Sequence, residues 1–320
     1  RFDLWEQDWK VPLQYGIKQV YGENGGPGGL FHAMRQIPAI IKICEDIEKI
    51  CPEAFIFSYS NPMQRICHAL NTRFPNLKIT GLCHEIASMS RQLPTLMETD
   101  LDNIQFEAGG LNHFSILLHA TYKDSGKDGY PLINKNFEGY YSCLVNDHEG
   151  FFSNAGAERG LFFELFKRYG YLPITTDSHL GEYLSWAYSV ADHDGILDFY
   201  DKYKKRCLSF FSNDGYEQFF DMSHPEPHER AIPIIESIVA DLNMLEHAVN
   251  IKNENFIECL PNDIVVEVPA IINKTGIHGK KLDNYPEPFG ALLNAQVGTI
   301  QLTTKAILNK SKQTAIHALL

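Results

Sequence analysis

The stretch AFIFSYSNPMQRICHALNTRFPNLKITGLCHE, residues 54–85, decides the fold class. It opens with an apolar and aromatic run that stops at an Asn-Pro pair, as a strand ended by proline does. A helical pattern follows over residues 63–74, and the apolar run 77–83 comes before another helix. Strands that alternate with helices predict an α/β fold with a parallel sheet, whose ligands bind at the carboxyl ends of the strands.

Polar residues stand at the carboxyl ends of both predicted strands. Asn61 ends the first strand, and Cys83 and His84 end the second; Asn112 and His113 follow a pair of glycines further on. A thiolate and an imidazole are good ligands for a transition metal, and their softness favours zinc. Spacing alone does not show that these side chains meet, so a buried thiol with hydrogen-bonded histidines is the alternative.

A glycine-rich segment, GENGGPGG at residues 22–29, comes before a helical pattern. Glycines permit a tight turn, and the start of a helix offers free N–H groups to a cofactor or another anion. Gly26, Gly28 and Gly29 are therefore candidates for cofactor contact. The segment does not match the GxGxxG pattern, and an ordinary helix start is the alternative explanation.

The character of the chain changes near residue 105. The pattern predicts strand, bend and strand over residues 104–122, helices over 151–169, 179–192 and 288–308, and strands over 248–252 and 264–272. We therefore expect a Rossmann-like domain over residues 1–105. A second, α+β domain for substrate binding and oligomerisation is expected over residues 106–320.

The composition argues against several classes of protein. The formal net charge is −12 at pH 7 and no run of Lys or Arg is present, so no nucleic-acid partner is expected. Charged residues break the apolar stretches well before they reach the length that spans a bilayer, so no membrane partner is expected. Seven scattered cysteines without a CxxC pair are typical of a reducing compartment, which predicts a cytoplasmic protein.

Asp177 and His179 lie where a turn enters one of the predicted helices. Asp177 either caps that helix, which is the commoner fate of such an aspartate, or acts as a catalytic acid or base. His224 and His228, in a segment rich in proline, are predicted to belong to a solvated loop.

Taken in order, these segments resemble glycoside hydrolase family 4. The resemblance rests on GENGGPGG, SNPM, GLCHE, GGLNHF, TDSHLGEY, HERAIPII and VVEVPA, and it runs through almost the whole chain. It implies a Rossmann-like domain that binds NAD, a divalent metal that is commonly manganese, a small carbohydrate substrate and a homodimer or homotetramer. The family's phosphate-binding loop and its acidic ribose-binding residue are not visible, so we expect the chain to begin after them.

The resemblance also assigns roles to individual residues. It implies that Cys83 and His113 bind the metal, that Asn61 contacts the sugar and the cofactor, and that Asp177 is the acid or base. The remaining candidates for substrate binding are His84, Asn112 and Arg230. An open site that chelates two sugar hydroxyls adds hard oxygen ligands, which favours manganese over zinc.

Family 4 implies a redox route to hydrolysis, which differs from the common two-carboxylate scheme. In that route NAD takes hydride from C3 of the sugar, a base removes the C2 proton, and the glycosidic oxygen leaves. Water then adds at C1 and the hydride returns, so NAD is not consumed. The metal polarises the oxygens at C2 and C3.

The motif CHE, with Glu85 after His84, resembles the α-galacturonidase branch of the family and implies α-galacturonides as substrates. Within the family, α-galactosides and α-glucosides are the alternatives. An arginine fork suits a uronate carboxylate, and Arg159 and Arg230 are candidates, although either can instead form a structural ion pair. Outside the family, the alternatives are an NAD-dependent dehydrogenase of a polyol or hydroxy acid and a non-catalytic binding domain.

Overall fold

The computed structural model describes residues 2–144, 158–210 and 229–319. The helices in these ranges are α1 (Phe2–Gln14), α2 (Gly26–Ile50), α3 (Met63–Arg73), α4 (Glu85–Ser90), α5 (Leu93–Met97), α6 (Tyr130–Leu144), α7 (Gly160–Tyr169), α8 (Asp177–Leu180), α9 (His193–Phe210), α10 (Ala231–Ala240), α11 (Glu287–Leu308) and α12 (Lys312–Leu319). The strands are β1 (Phe55–Ser58), β2 (Lys78–Gly81), β3 (Ile104–Leu111), β4 (Phe114–Tyr122), β5 (Met244–Lys252), β6 (Val265–Asn273) and β7 (Gly276–Gly279).

The strands form one seven-stranded sheet. Its order is β1-β2-β5-β6-β3-β4, and β7 pairs with β6. β1 and β2 run parallel, as their alternation with helices predicts, whereas the other pairings are antiparallel. The α/β class is therefore confirmed, and the parallel part of this sheet consists of two strands.

The middle of the sheet brings four strands together beside the ends of β2 and β3. Gly81 of β2 lies opposite Asn250 of β5, and Asn250 lies opposite Glu267 of β6. Glu267 in turn lies opposite Gly110 of β3. The sheet therefore continues across residue 105, and the division into two domains at that residue remains a prediction.

Apolar faces of the helices pack on both parts of the sheet. Ile37 and Cys44 of α2 meet Ile66 and Leu70 of α3 in a cluster beside β2. The largest cluster packs β3, β4 and β6 against α5, α6 and α7. Every helix within the described ranges is too short or too polar to cross a bilayer.

Several predicted elements are confirmed within a few residues. They are α3, β2, β6 and α11, which correspond to the patterns over residues 63–74, 77–83, 264–272 and 288–308. The strand predicted over residues 248–252 is longer and begins at Met244. The first part of the helix predicted over 151–169 lies outside the described residues, and its last part is α7.

The helix predicted over residues 179–192 is wrong. The short helix α8 ends at Leu180, and turns with a single 3-10 turn follow it. The segment that follows α8 packs closely on other parts of the chain, since a Cβ atom at Gly181 would lie 2.6 Å from the side chain of Val20. Close tertiary packing therefore overrides the local helical pattern in this segment.

Candidate active site and metal centre

Five segments bring polar side chains together beyond the end of β2. The residues are Glu23 before α2, Asn61 after β1, Cys83 and Glu85 after β2, His113 between β3 and β4, and His179 in α8. Each side chain is buried or partly buried. The carboxyl ends of the two parallel strands therefore contribute to the site, as their position in an α/β sheet predicts.

Cys83 and His113, the predicted metal ligands, face each other. The Sγ atom of Cys83 lies 3.4 Å from Nε2 of His113. His113 has a φ of 62°, so the tight turn between β3 and β4 holds it in the left-handed region. Its ring stacks on that of His179, with 4.2 Å between the ring centroids.

Two further residues add ligand atoms to this pair. Glu85, His113 and His179 each offer one such atom, and the three atoms lie within 4.8 Å of one another. Together with the thiol of Cys83, the group presents one sulfur, two ring nitrogens and a carboxylate oxygen. This mixed donor set suits a divalent transition metal such as Mn²⁺ or Zn²⁺.

The protonation states of these groups fit a bound cation. Burial, assisted by the charges of His179 and His84, holds the pKa of His113 well below its usual range, and burial lowers the pKa of His179 to about 4. Both rings are therefore neutral at pH 7, as metal ligands must be. The Nδ1 atom of His113 is buried and has no hydrogen-bond partner within the described residues.

The thiol of Cys83 also fits such a site. Burial raises its pKa well above the usual range, and the negative charges of Glu267 and Glu85 raise it further. A divalent cation beside the sulfur would offset these effects and favour the thiolate. Cys83, Glu85, His113 and His179 are therefore the residues that can hold a metal here.

Glu23 is the carboxylate that faces the adjoining cavity. The cavity has a volume of about 500 Å³, and its lining includes Glu23, His32 and Asn61. One oxygen of Glu23 accepts a hydrogen bond of 3.2 Å from the Asn61 amide, and the other lies 3.8 Å from Nδ1 of His179. Burial raises the pKa of Glu23 to about 7.

Glu182 holds the loop that carries Glu23. Its carboxylate accepts the backbone N–H groups of Glu23 and Asn24, and it also accepts the side-chain amide of Asn24 at 3.0 Å. Burial raises the pKa of Glu182 to about 8, and the nearby charge of Glu23 acts in the same direction. The segment after α8 therefore fixes the loop before α2.

The three glycines predicted to contact a cofactor have packing roles in this loop. A side chain at Gly28 would overlap the backbone of Gly22, and one at Gly29 would overlap the backbone of Asn24. The N–H groups of Gly28 and Gly29 already donate to groups within the protein. Gly26 has a φ of 57°, which favours glycine. Packing explains Gly28 and Gly29, the backbone conformation explains Gly26, and the contact of all three with a cofactor remains a prediction.

Asp177 is fully buried, and its carboxylate serves the backbone. It accepts N–H groups from Leu161 and Phe162 at the start of α7 and from Asp192, each at 2.9 Å. Asp177 therefore caps the start of α7, whereas the sequence predicted that it caps the helix that follows it, which is α8. Both oxygens are engaged in this way, which gives Asp177 a structural role, and its acid–base role remains a prediction.

Asn112 lies beneath the metal cluster and is only 1% exposed. Its side-chain amide donates to Glu267 at 3.1 Å, and its backbone carbonyl accepts a hydrogen bond from the hydroxyl of Tyr183 at 3.1 Å. These contacts fix the turn that presents His113. Asn112 therefore has a supporting role, and its contact with substrate remains a prediction.

His84 lies at the rim of the site. Its side chain is 39% exposed, its Nδ1 lies 3.5 Å from a carboxylate oxygen of Glu229, and its Nε2 lies 3.8 Å from one of Glu85. This position keeps His84 accessible to a ligand, and its contact with substrate remains a prediction. His224 and His228 lie outside the described residues.

The two candidate arginines differ in their surroundings. Arg230 donates from Nε to the buried carboxylate of Glu246 at 2.9 Å, which makes it part of a structural ion pair. The guanidinium of Arg159 lies over the ring of Phe162, 4.4 Å from its centroid. Burial raises the pKa of Glu85, and the charges of His84 and then Arg159 act against this rise. Of the two arginines, Arg159 is therefore the one whose charge favours the ionised form of Glu85.

Sequence reasoning missed Glu23, Glu85 and His179 as partners of Cys83 and His113. Each of the three lies inside a motif that was recognised, which was the available signal. Their meeting depends on tertiary contacts between distant parts of the chain, and spacing along the sequence does not show such contacts.

Two family models together match nearly the whole chain. The model described as Family 4 glycosyl hydrolase matches residues 2–99, and the model of the Family 4 glycosyl hydrolase C-terminal domain matches residues 108–320. An α-glucosidase from Erwinia rhapontici is 45% identical over 345 residues, covering 100% of this chain and 74% of the relative. An α-galacturonidase from Thermoanaerobacter italicus is 27% identical, covering 100% of this chain and 73% of the relative.

A solved structure shares the fold. It is a 6-phospho-α-glucosidase from gut microorganisms in complex with NAD and Mn²⁺, with a TM-score of 0.77 and 21% sequence identity. The match covers 99% of this chain and 73% of the solved one. This similarity supports the Rossmann-like fold expected from the sequence.

Proposed function

The chain belongs to family 4 of the glycosyl hydrolases, and we propose that this glycosidase hydrolyses α-glucosides with the help of NAD and Mn²⁺. The observation that carries the proposal is the metal cluster, in which Cys83, Glu85, His113 and His179 converge from three separate parts of the chain. A plain dehydrogenase of a polyol or hydroxy acid needs no such thiolate-containing set.

The two bound groups would supply different chemistry. NAD would accept and return a hydride, and a divalent metal would polarise sugar oxygens as a Lewis acid. The metal ligands in this proposal are Cys83 and His113, with Glu85 and His179 beside them. Asn61 and His84 are proposed to orient the sugar from the rim, and Asn61 also lines the cavity from which NAD would approach.

Glu23 is proposed to transfer a proton at the glycosidic bond. Among the acidic residues of the cluster, it is the one that lines the 500 Å³ cavity. A hydrogen bond from the Asn61 amide holds the carboxyl group of Glu23, and Glu182 accepts the backbone N–H of Glu23. The carboxyl group can therefore contact a bound substrate without rearrangement. His179, which lies beside Glu23, is neutral at pH 7 and so does not hold Glu23 in its charged form.

Two observations lead us to place α-glucosides ahead of the α-galacturonides that the motif CHE implied. The relative named α-glucosidase is 45% identical to this chain, whereas the relative named α-galacturonidase is 27% identical. The second observation is that Arg230, a candidate partner for a uronate carboxylate, is already paired with the buried carboxylate of Glu246.

A comparison of chromogenic glycosides tests the proposal. The full-length protein is supplied with NAD, Mn²⁺ and a thiol reductant, and the rates on an α-glucoside, an α-galactoside and an α-galacturonide are measured. We expect kcat/KM to be highest on the α-glucoside, with no net consumption of NAD and no activity after chelation of the metal. A higher kcat/KM on the α-galacturonide would reverse the choice of substrate, and net consumption of NAD would favour a dehydrogenase.

A further inference from the structure

A buried polar network lies directly behind the proposed metal site. Its centre is Glu267 of β6, which is 1% exposed. The carboxylate of Glu267 accepts hydrogen bonds from the amides of Asn112 and Asn250, each at 3.1 Å, and from the hydroxyl of Ser115 at 2.7 Å. All three donors are neutral. A carboxylate that is buried without a cation is costly, so its presence calls for a reason.

Two glycines allow the neighbouring strands to lie close to the residues of this network. A Cβ atom at Gly109 would lie 2.6 Å from the carbonyl oxygen of Glu267, and one at Gly81 would lie 2.9 Å from the side chain of Asn250. These two glycines belong to the motifs GGLNHF and GLCHE, and Glu267 belongs to VVEVPA. Three motifs that are far apart in the sequence therefore meet at this one network.

Asn112 connects the network to both proposed metal ligands. It directly precedes His113, whose left-handed backbone needs support from its neighbours. The side chain of Asn112 also interacts with the thiol of Cys83, and the charge of Glu267 reaches the same thiol. A cation bound by Cys83 and His113 would lie close enough to be attracted by that buried charge.

We propose that Glu267 is a positioning residue of the metal site, which fixes the His113 turn through Asn112 and raises the affinity of the cluster for a divalent cation. The inference rests on the metal site of the proposed function. Hydrogen-bonded groups behind metal ligands commonly orient the ligands and increase their affinity. A bound metal would in turn supply a positive charge near Glu267, whose three donors are neutral.

Binding of Mn²⁺ to the full-length protein tests this role without reference to activity. The free ion is quantified by its electron paramagnetic resonance signal, in the absence of sugar and NAD. We expect Glu267→Gln, which keeps the shape and removes the charge, to weaken Mn²⁺ binding by roughly 10- to 100-fold. An affinity within about twofold of the wild type, in a variant with a native circular dichroism spectrum, overturns the inference.

Glu246→Gln is the matched control. Glu246 is also a buried carboxylate of this sheet, but it pairs with Arg230, whereas the side chain of Asn112 donates to Glu267. We expect this variant to lose stability and to keep the Mn²⁺ affinity of the wild type. Equal losses of affinity in both variants would point to general destabilisation and overturn the specific role of Glu267.

A third variant covers the case in which Glu267→Gln does not fold. Ser115→Ala removes one donor to Glu267 and leaves the charge in place. We expect it to weaken Mn²⁺ binding several-fold, because the carboxylate is then less firmly held. An unchanged affinity in this variant overturns the inference.

Cys83→Ser separates the inference from the proposed function. If the wild type binds Mn²⁺ and Cys83→Ser does not, the metal site stands and the Glu267 variant alone decides the inference. If the wild type does not bind Mn²⁺, the metal site and the role of Glu267 both fall.

Discussion

Glu23 and Asp177 are two buried acidic residues whose partners differ. The carboxylate of Asp177 is occupied by three backbone N–H groups, as in other helix caps. Glu23 accepts only side-chain amides in the described part of the chain, from Asn61 at 3.2 Å on one oxygen and from Asn24 at 3.3 Å on the other, and it lines the cavity. At the scale of the single residue, the two therefore differ in their access to the cavity. Glu23 can exchange a proton with a substrate there, whereas Asp177 stabilises the fold.

This difference predicts opposite outcomes for two substitutions. Glu23→Gln should lower kcat by roughly 100-fold or more, the usual scale for a lost acid or base, and leave the protein folded. Asp177→Asn should lower the free energy of unfolding by roughly 1–3 kcal/mol, because one of its backbone donors then faces an amide N–H group. The measurements are kcat at saturating substrate and urea unfolding, on the full-length protein.

Glu48→Gln, on the exposed surface of α2, is the control and should match the wild type in both measurements. A Glu23→Gln variant with wild-type kcat would remove Glu23 from the mechanism. A stable but inactive Asp177→Asn variant would return the acid–base role to Asp177.

Sequence reasoning at this scale named Cys83 and His113, which lie together in the structure, and it named Asp177 as the acid or base where we propose Glu23. Cys83 and His113 could be paired because the resemblance to a family specified both positions. Asp177 and Glu23 have similar local patterns, each beside a predicted helix start, and the local pattern does not show which carboxylate meets the cavity. That distinction comes from the packing of α7 against the segment of Asp177.

At the scale of the element, the start of α2 is the part of the fold that places Glu23. The loop before this helix folds back on its first turn, so that the backbone near Gly28 touches the backbone of Gly22. Glu182 then binds the loop from the other side. A change in either contact should therefore move Glu23 relative to the metal cluster.

Gly28→Ala tests this dependence. The added methyl group would overlap the Gly22 backbone, and we expect a loss of roughly 1–3 kcal/mol in stability together with lower kcat. Gly298→Ala is the matched control, because this glycine also lies in a helix, α11, and a Cβ atom there meets nothing within 4 Å. The control should keep wild-type kcat and gain up to about 1 kcal/mol, since alanine favours helix. Equal effects of the two substitutions in urea unfolding and kcat would contradict the packing role of Gly28.

Local patterns predicted elements well where one face of the element is apolar. The helix α3 and the strand β6 have clear periodicity, and both are confirmed. The segment over residues 179–192 has a helical pattern, but many of its residues are buried against other parts of the chain, and only its first residues are helical. Local periodicity does not record such tertiary contacts.

At the scale of the whole molecule, the pairing of distant strands creates the site. The order β2-β5-β6-β3 brings Gly81, Asn250, Glu267 and Gly110 into one row behind the metal cluster. The alternation of strands and helices predicted the α/β class and the parallel pair β1–β2. It could not predict that antiparallel strands from the second half of the chain extend the same sheet, because strand register depends on contacts between distant residues.

Deuterium at C2 of the released sugar is the most direct test of the central claim, that this protein is a glycosidase of the NAD- and metal-dependent type. The full-length protein hydrolyses an α-glucoside in deuterated water with NAD and Mn²⁺ present, and the product is analysed by proton nuclear magnetic resonance. The account predicts deuterium at C2, because the route of family 4 removes the C2 proton and later replaces it from solvent. A hydrolysed product that carries only its original C2 proton would contradict the account and favour direct displacement at C1.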